Sequence, residues 1–252
     1  MSKYIVAQFK CQPWHPLTDL PKPSAQSGGT ADENKTDNSA TKNHCNDTDN
    51  NHSTLPPITS GAKTLLYNII FYLYLSVRER IKSLNFSGRS FESAKHELIT
   101  SGLIIESNAG KKKYLMPKKE AFDYFSLICP YKNMEFIEHS FYLYLIEFLF
   151  KKNKSYKSVY LEYKLTNSGN TADITAQSTN GSLLGFELTF SASNIIQNCL
   201  KYDNAAGFTK ITFICRDSDI LKAVKSKVLN AGLSLSLLSK FDFVLLSSIL
   251  KD

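Results

Sequence analysis

No two cysteines stand at C-x-x-C spacing anywhere in this chain: the five it has, at positions 11, 45, 129, 199 and 215, are scattered through 252 residues. That scatter argues against a zinc module or a disulfide framework and predicts reduced thiols in a cytoplasm. The phosphate loop G-x-x-x-x-G-K-[ST] is missing, as are G-x-S-x-G and H-E-x-x-H, so the chain carries no ATPase, serine-hydrolase or zinc-protease signature. Long apolar runs are missing too. The best one, "TLLYNIIFYLYLSV", falls short of the roughly 20 residues that cross a bilayer and contains Asn68, Tyr67, Tyr72 and Tyr74; it predicts a buried helix and no membrane contact. The opening "MSKYIVAQFKCQPW" has neither an uninterrupted apolar core nor a cleavage site, so no secretory signal is expected.

Acidic residues are in the minority, 23 against 30 basic ones, for a net charge of +7. Such a balance favours polyanionic partners, nucleic acid first among them. The excess is local, crowding into Lys111, Lys112, Lys113, Lys118 and Lys119. Residues 1–17 read as a short strand, "YIVAQF", and a proline-broken peptide, "FKCQPWHPL", whose Phe9 and Trp14 suit a docking anchor. From 18 to 60 the chain is Asn, Asp, Thr, Ser, Gly and Pro with hardly an aliphatic side chain, the composition of a disordered linker. Within it His44, Cys45 and His52 match no metal-site spacing and read as solvated.

Residues 61–128 turn helical. "TLLYNIIFYLYLSVRERIKSL" predicts one long helix, and "RSFESAKHELITSG" an amphipathic one ended by Gly102. "LIIES", "NAGKKK" and "YLMP" then make a β-hairpin with lysines at its tip, and "KKEAFDYFSLI" a closing helix. Two helices followed by a basic two-stranded wing is the order of a winged helix-turn-helix. The expectation is a recognition helix presenting Arg89, Ser90, Ser93 and Lys95 or His96 to DNA, with Lys111, Lys112 and Lys113 on phosphates. The same order serves protein docking, and lysines at a hairpin tip also protect a sheet edge.

A second domain is expected over 133–252. "NMEFIEHSFYLYLIEFLFKK" predicts a helix; "SVYLEYKL", "TADITAQS" and "SLLGFELTF" predict three strands, the last two joined at Asn180–Gly181. "SASNIIQNCLKYDNAAG" reads as a helix, "FTKITFICRD" as a buried strand and "SDILKAVKSKVLNAG" as a helix, giving an α/β unit with a mixed sheet. Alternation puts Glu187 and Thr189 on one face, opposite Phe186, Leu188 and Phe190, and Asp173 with Thr175 opposite Ala172, Ile174 and Ala176. The hairpin then sets Asp173 beside Glu187. Two adjacent carboxylates on a β-platform suit a hard cation such as magnesium, with room for phosphate.

"ADI", the hairpin, and "FEL" followed by helix and strand resemble the PD-(D/E)XK nuclease core, a restriction-endonuclease-like fold. Residues from about 60 to 220 are more specifically similar to the C-terminal extension of DNA-translocating ATPases of the HerA and conjugative coupling type, and to replication-relaxation-like proteins. The resemblance rests on Glu138–His139 at a helix start, Asp173, Glu187 with Thr189, and Asn198 with Lys201. It implies a magnesium-dependent DNA nuclease, or a degenerate relative, in a mobile-element or DNA-processing setting. Asp173 and Glu187 would hold the metal, and His139, Glu138, Thr189 and Asn198 would be accessory. The motif lysine is replaced by Thr189, and Lys201 in the following helix is the candidate substitute, since Asn194, Asn198 and Lys201 share one stripe beside Ile195, Cys199, Tyr202 and Ala206. Blander roles stay open: Asp173 as a turn cap, Lys201 as a solvated stem, His139 as a structural hydrogen-bonder and Glu162 as an edge charge or a third acid. The rival expectation is a non-catalytic adaptor docking onto a separate translocating ATPase.

Overall fold

A computed structural model describes residues 56–131, 137–165, 169–203, 205 and 207–250. The expected strand at 4–9, the docking peptide with Phe9 and Trp14, the linker up to residue 55 and Ala206 lie outside the described residues.

The long helix expected after residue 63 is two helices, α1 (Ser60–Phe71) and α2 (Val77–Leu84). Apolar periodicity runs on through the break, but Ser76 and Glu79 close a reciprocal capping box that starts a new helix. Arg80 completes the corner. Its fully buried guanidinium reaches back to the end of α1, donating to the carbonyl oxygens of Asn68 at 2.8 Å and Tyr72 at 2.7 Å. The Asn68 carbonyl also accepts from the Tyr72 amide and the Tyr72 carbonyl from the Leu75 amide, so the guanidinium adds a second bond to each. Burial pulls the guanidinium down to about 9, against the smaller opposing pull of Glu79.

α3 (Gly88–Thr100) starts on the Ser87 hydroxyl; Gly102 follows it at φ 70°, as the sequence predicts. The hairpin follows, β1 (Ile104–Ala109) against β2 (Lys112–Pro117), and then the short α4 (Lys119–Asp123). Only Gly110 and Lys111 form the tip, because Lys112 and Lys113 already pair with Ala109 and Asn108. Gly110 holds φ at 62°, and a Cβ there would stand 2.6 Å from the Ser247 Cβ. Gly110→Ala is therefore expected to cost about 1–3 kcal/mol from the left-handed backbone and the steric overlap together. A fall in melting temperature checks it; an unchanged transition overturns the contact.

α5 (Ile137–Lys152) leads into a five-stranded sheet in the order β3 (Tyr156–Lys164), β4 (Thr171–Ser178), β5 (Leu183–Thr189), β6 (Phe208–Cys215) and β7 (Phe241–Leu245). The β3–β4 and β4–β5 pairs are antiparallel, while β5–β6 and β6–β7 are parallel, so the sheet is mixed. β7 was hidden in the sequence within "FDFVLLSSIL", where a run of apolar residues continues straight into α9 (Leu246–Ile249). α6 (Ile195–Leu200) and α7 (Ser218–Leu229) cover one face through Ile195, Cys199, Val224 and Val228, packed on Ile211, Phe213 and Cys215; the four-residue α8 (Leu235–Leu238) lies between α7 and β7.

α5 covers the other face. Its Phe141, Tyr142 and Ile146 share a cluster with Ile174, Phe186 and Leu188 of the sheet. That cluster also contains Leu65, Phe91, Leu115 and Met116, so one apolar core serves both the helix–hairpin half and the sheet. Tyr74 stacks on Phe148 at 4.2 Å, with the Lys152 ammonium 4.1 Å from the Phe148 ring centre. No helix among the described residues is long and apolar enough to cross a membrane.

Candidate functional site

Ile174 faces Phe186 in the last paired step between β4 and β5. One residue further, Asp173 and Glu187 replace the ladder with side-chain bonds. The Asp173 amide donates to Glu187 Oε1 at 3.4 Å, and the Leu188 amide donates to Asp173 Oδ2 at 2.9 Å. The sheet is distorted on the other side too, where Glu162 sits at φ 48° in β3, exposed, between the paired residues Leu161 and Tyr163. A non-glycine residue in that region costs about 1–2 kcal/mol.

The expected alternation of β4 does not survive this kink. Ala172 packs with the α6–α7 layer while Ile174 and Ala176 pack with the α5 layer. Asp173 is thereby turned along the sheet toward Leu188 and α5. On β5 the alternation holds: Phe186 and Leu188 join the α5 layer, and Glu187 and Thr189 are buried polar residues between them.

Lys201 comes to the acids from the end of α6. Its Nζ lies 2.6 Å from Glu187 Oε2 and donates to the Thr171 carbonyl at 2.8 Å. α6 itself is shorter than the sequence predicts: it begins after the Ser191–Ser193 turn and ends at Lys201, its C-cap. Tyr202, fully buried, donates its hydroxyl to Glu187 Oε1. Tyr202 was expected only as an apolar stripe residue, because spacing gives its face and not the direction of its hydroxyl. Glu187 itself is 2% exposed. Burial, and next the charge of Asp173, push its carboxyl up to about 7 against the pull of Lys201 and Tyr202.

His139, near the start of α5, faces the acids from the other layer. Its Nε2 is 3.2 Å from the Leu188 carbonyl oxygen and 3.5 Å from Asp173 Oδ2. Burial alone would lower the imidazole, but the hydrogen bond and charge of Asp173 outweigh it and leave the group raised. Glu138 turns away from the acids: it accepts from the Ser107 hydroxyl of the hairpin and pairs with Arg216 at 3.3 Å. Thr189 is buried, its hydroxyl 3.5 Å from the Glu187 carbonyl. Asn198 is half-buried in α6, and none of the bonds of the acid–lysine set involves it.

The oxygens that suit a hard cation are the Asp173 carboxylate and the Leu188 carbonyl, which approach a common point now faced by His139 Nε2. Glu187 adds negative charge behind them, with both of its oxygens engaged by protein groups. No cluster of three or more His, Cys, Asp or Glu suited to a metal occurs among the described residues. One or two carboxylates with water and phosphate completing the shell is nonetheless the habit of magnesium. Burial pushes the Cys199 and Cys215 thiols up to about 12 and 11, so neither is a thiolate nucleophile at neutral pH.

On the helix–hairpin half, Arg89, Ser90 and Ser93 are exposed along the start of α3, as is His96. Lys95, expected on the same outer side, turns inward instead. It is 14% exposed and braced between Glu92 at 2.7 Å and Glu106 of β1 at 3.1 Å. Lys113 also pairs with Glu106, at 3.1 Å, while keeping about half its surface in solvent. Lys111 at the tip is exposed. Comparison with protein families, curated proteins and solved structures finds no match to this chain.

Proposed function

We propose that this chain binds DNA through a winged helix-turn-helix and carries a PD-(D/E)XK-type, magnesium-dependent phosphodiesterase site on its α/β sheet. One observation carries the reading: a lysine from outside the motif strand, Lys201, approaches the motif acid Glu187 to 2.6 Å, on the strand beside Asp173. A lysine merely covering apolar surface would keep its ammonium in water, whereas this one is 12% exposed.

The Asp173 carboxylate and the Leu188 carbonyl would hold the metal, with Glu187 behind them anchoring Lys201. Bound magnesium would supply Lewis-acid polarisation of the phosphate and an activated water. The chain's own groups do the rest. Lys201 gives a fixed positive charge beside the reacting phosphate, where preorganised charge lowers the barrier most. Tyr202 and the Asp173 amide hold the Glu187 carboxylate in one orientation, and His139 does the same for Asp173. The exposed start of α3 and the hairpin lysines would grip the duplex backbone.

Purified protein incubated with supercoiled plasmid and magnesium is expected to cut, and Asp173→Ala and Glu187→Ala are each expected to abolish cutting. Cleavage that survives both substitutions sinks the site. The second reading is a non-catalytic adaptor for a translocating ATPase, favoured by the inward Lys95 and by Glu92 beside it on α3. It predicts no cleavage and a duplex affinity that is absent or indifferent to salt, since phosphate binding releases counterions and must weaken as salt rises.

A further inference from the structure

The same end of the sheet carries a cation outside the acid–lysine set. Arg216 follows the last paired step of β5 and β6, Thr189 with Cys215, and its amide donates to the Thr189 carbonyl at 3.1 Å. It thus stands at the carboxyl ends of two parallel strands, the position where open α/β sheets receive ligands, two residues along β5 from Glu187. Its guanidinium carbon lies over the Phe190 ring, 5.4 Å from the ring centre. Phe190 and His139 in turn make a T-shaped pair with ring centres 5.7 Å apart. His139 and Arg216 therefore flank Phe190 on the α5 side of the sheet, with side-chain exposures of 29% and 44%.

Arg216 is only loosely engaged. Its carboxylate contact is through one nitrogen, Nη1, 3.3 Å from Glu138 Oε2, where a planar guanidinium favours a two-pronged grip. Glu138 does not depend on it, because the Ser107 hydroxyl, itself 2.9 Å from Tyr142, holds the other oxygen. A phosphodiester arriving at this end meets the carboxylates of Asp173 and Glu138, which repel it. An exposed guanidinium beside them offsets that repulsion.

We propose that Arg216 binds a backbone phosphate of a nucleic-acid strand lying across the carboxyl ends of β5 and β6, with the Glu138 carboxylate holding the guanidinium until that phosphate displaces it. This deepens the DNA-directed reading above and rests on it. The two substitutions that follow separate a phosphate ligand from an ordinary ion pair, because they move affinity in opposite directions.

The experiment is fluorescence anisotropy of a labelled duplex of about 20 base pairs in EDTA, so that no cleavage intervenes, titrated over roughly 50–200 mM salt. Arg216→Gln is expected to weaken binding about tenfold and to reduce the salt slope by about 1, the signature of one lost phosphate contact. Glu138→Gln, which frees the guanidinium, is expected to tighten binding severalfold. Arg216→Lys keeps the charge without the planar fork and falls between wild type and Arg216→Gln. Melting temperatures verify that each variant is folded. Equal affinity for wild type, Arg216→Gln and Glu138→Gln, whatever happens to their melting, overturns the assignment while leaving the DNA reading intact. A wild-type protein that does not bind the duplex overturns both.

Discussion

Lys201→Met is expected to lower magnesium-dependent DNA cleavage by about two to three orders of magnitude, the loss typical of removing one preorganised charge from a reacting centre. Duplex affinity should change little, because Lys201 is 12% exposed and committed to Glu187 and Thr171. Methionine keeps most of the stem that covers the Tyr202 ring, whose centre lies 5.5 Å from the ammonium. The fold is therefore expected to survive, and single-turnover cleavage at saturating DNA isolates the chemical step. A variant that cuts at the wild-type rate would make Lys201 a structural partner of Glu187 and nothing more. Because the ammonium holds the Glu187 carboxyl down, its removal should also extend the pH range over which that carboxyl stays protonated.

Stability should fall as the pH rises. The folded-state value of Glu187, about 7, lies above its ordinary 4.5, so between those values the folded chain keeps a proton that the unfolded chain has released. The contribution is complete below about 4.5 and is lost as the pH climbs through about 7; at full extent it is worth about 3 kcal/mol. His139 acts with the same sign, since its raised value makes its contribution complete below its unfolded value and lost above its folded one. Urea unfolding at pH 5 and pH 8 measures the difference. Glu187→Gln removes most of the decline, and magnesium added at pH 8 should restore part of it by binding the folded form alone. Equal stability at the two pH values, or a Glu187→Gln protein that declines like wild type, would contradict the buried-acid account.

The strands were legible where turn chemistry and alternation agreed. "TADITAQS" is β4 residue for residue, and the Asn180–Gly181 turn sets a register that brings Asp173 and Glu187 to one step of the hairpin. Alternation failed only at Asp173, because the kink opposite Glu162 depends on the tertiary fit of two strands and leaves no mark in spacing. The break between α1 and α2 was written in the sequence as Ser76 and Glu79, but a continuous apolar period masks a capping box. Lys95 shows the limit of helical faces: its position on α3 is readable, while its inward turn depends on Glu106, eleven residues on in another element. Lys201 was legible as a candidate, since its stripe borders the buried one. Its final distance from Glu187 depends on the early end of α6, and Tyr202 and Arg216 escaped notice because a hydroxyl direction and a strand end are set by packing.

Leu115 and Met116 of the hairpin lie in the same apolar cluster as Phe186 and Leu188 of the sheet, so a shared core joins the hairpin to the strand that carries Glu187. In a DNA-cutting protein such a joint acts as a ruler: wherever the hairpin seats, scission would fall at a constant offset along the strand, and ends mapped at nucleotide resolution would show a narrow spread rather than a ladder.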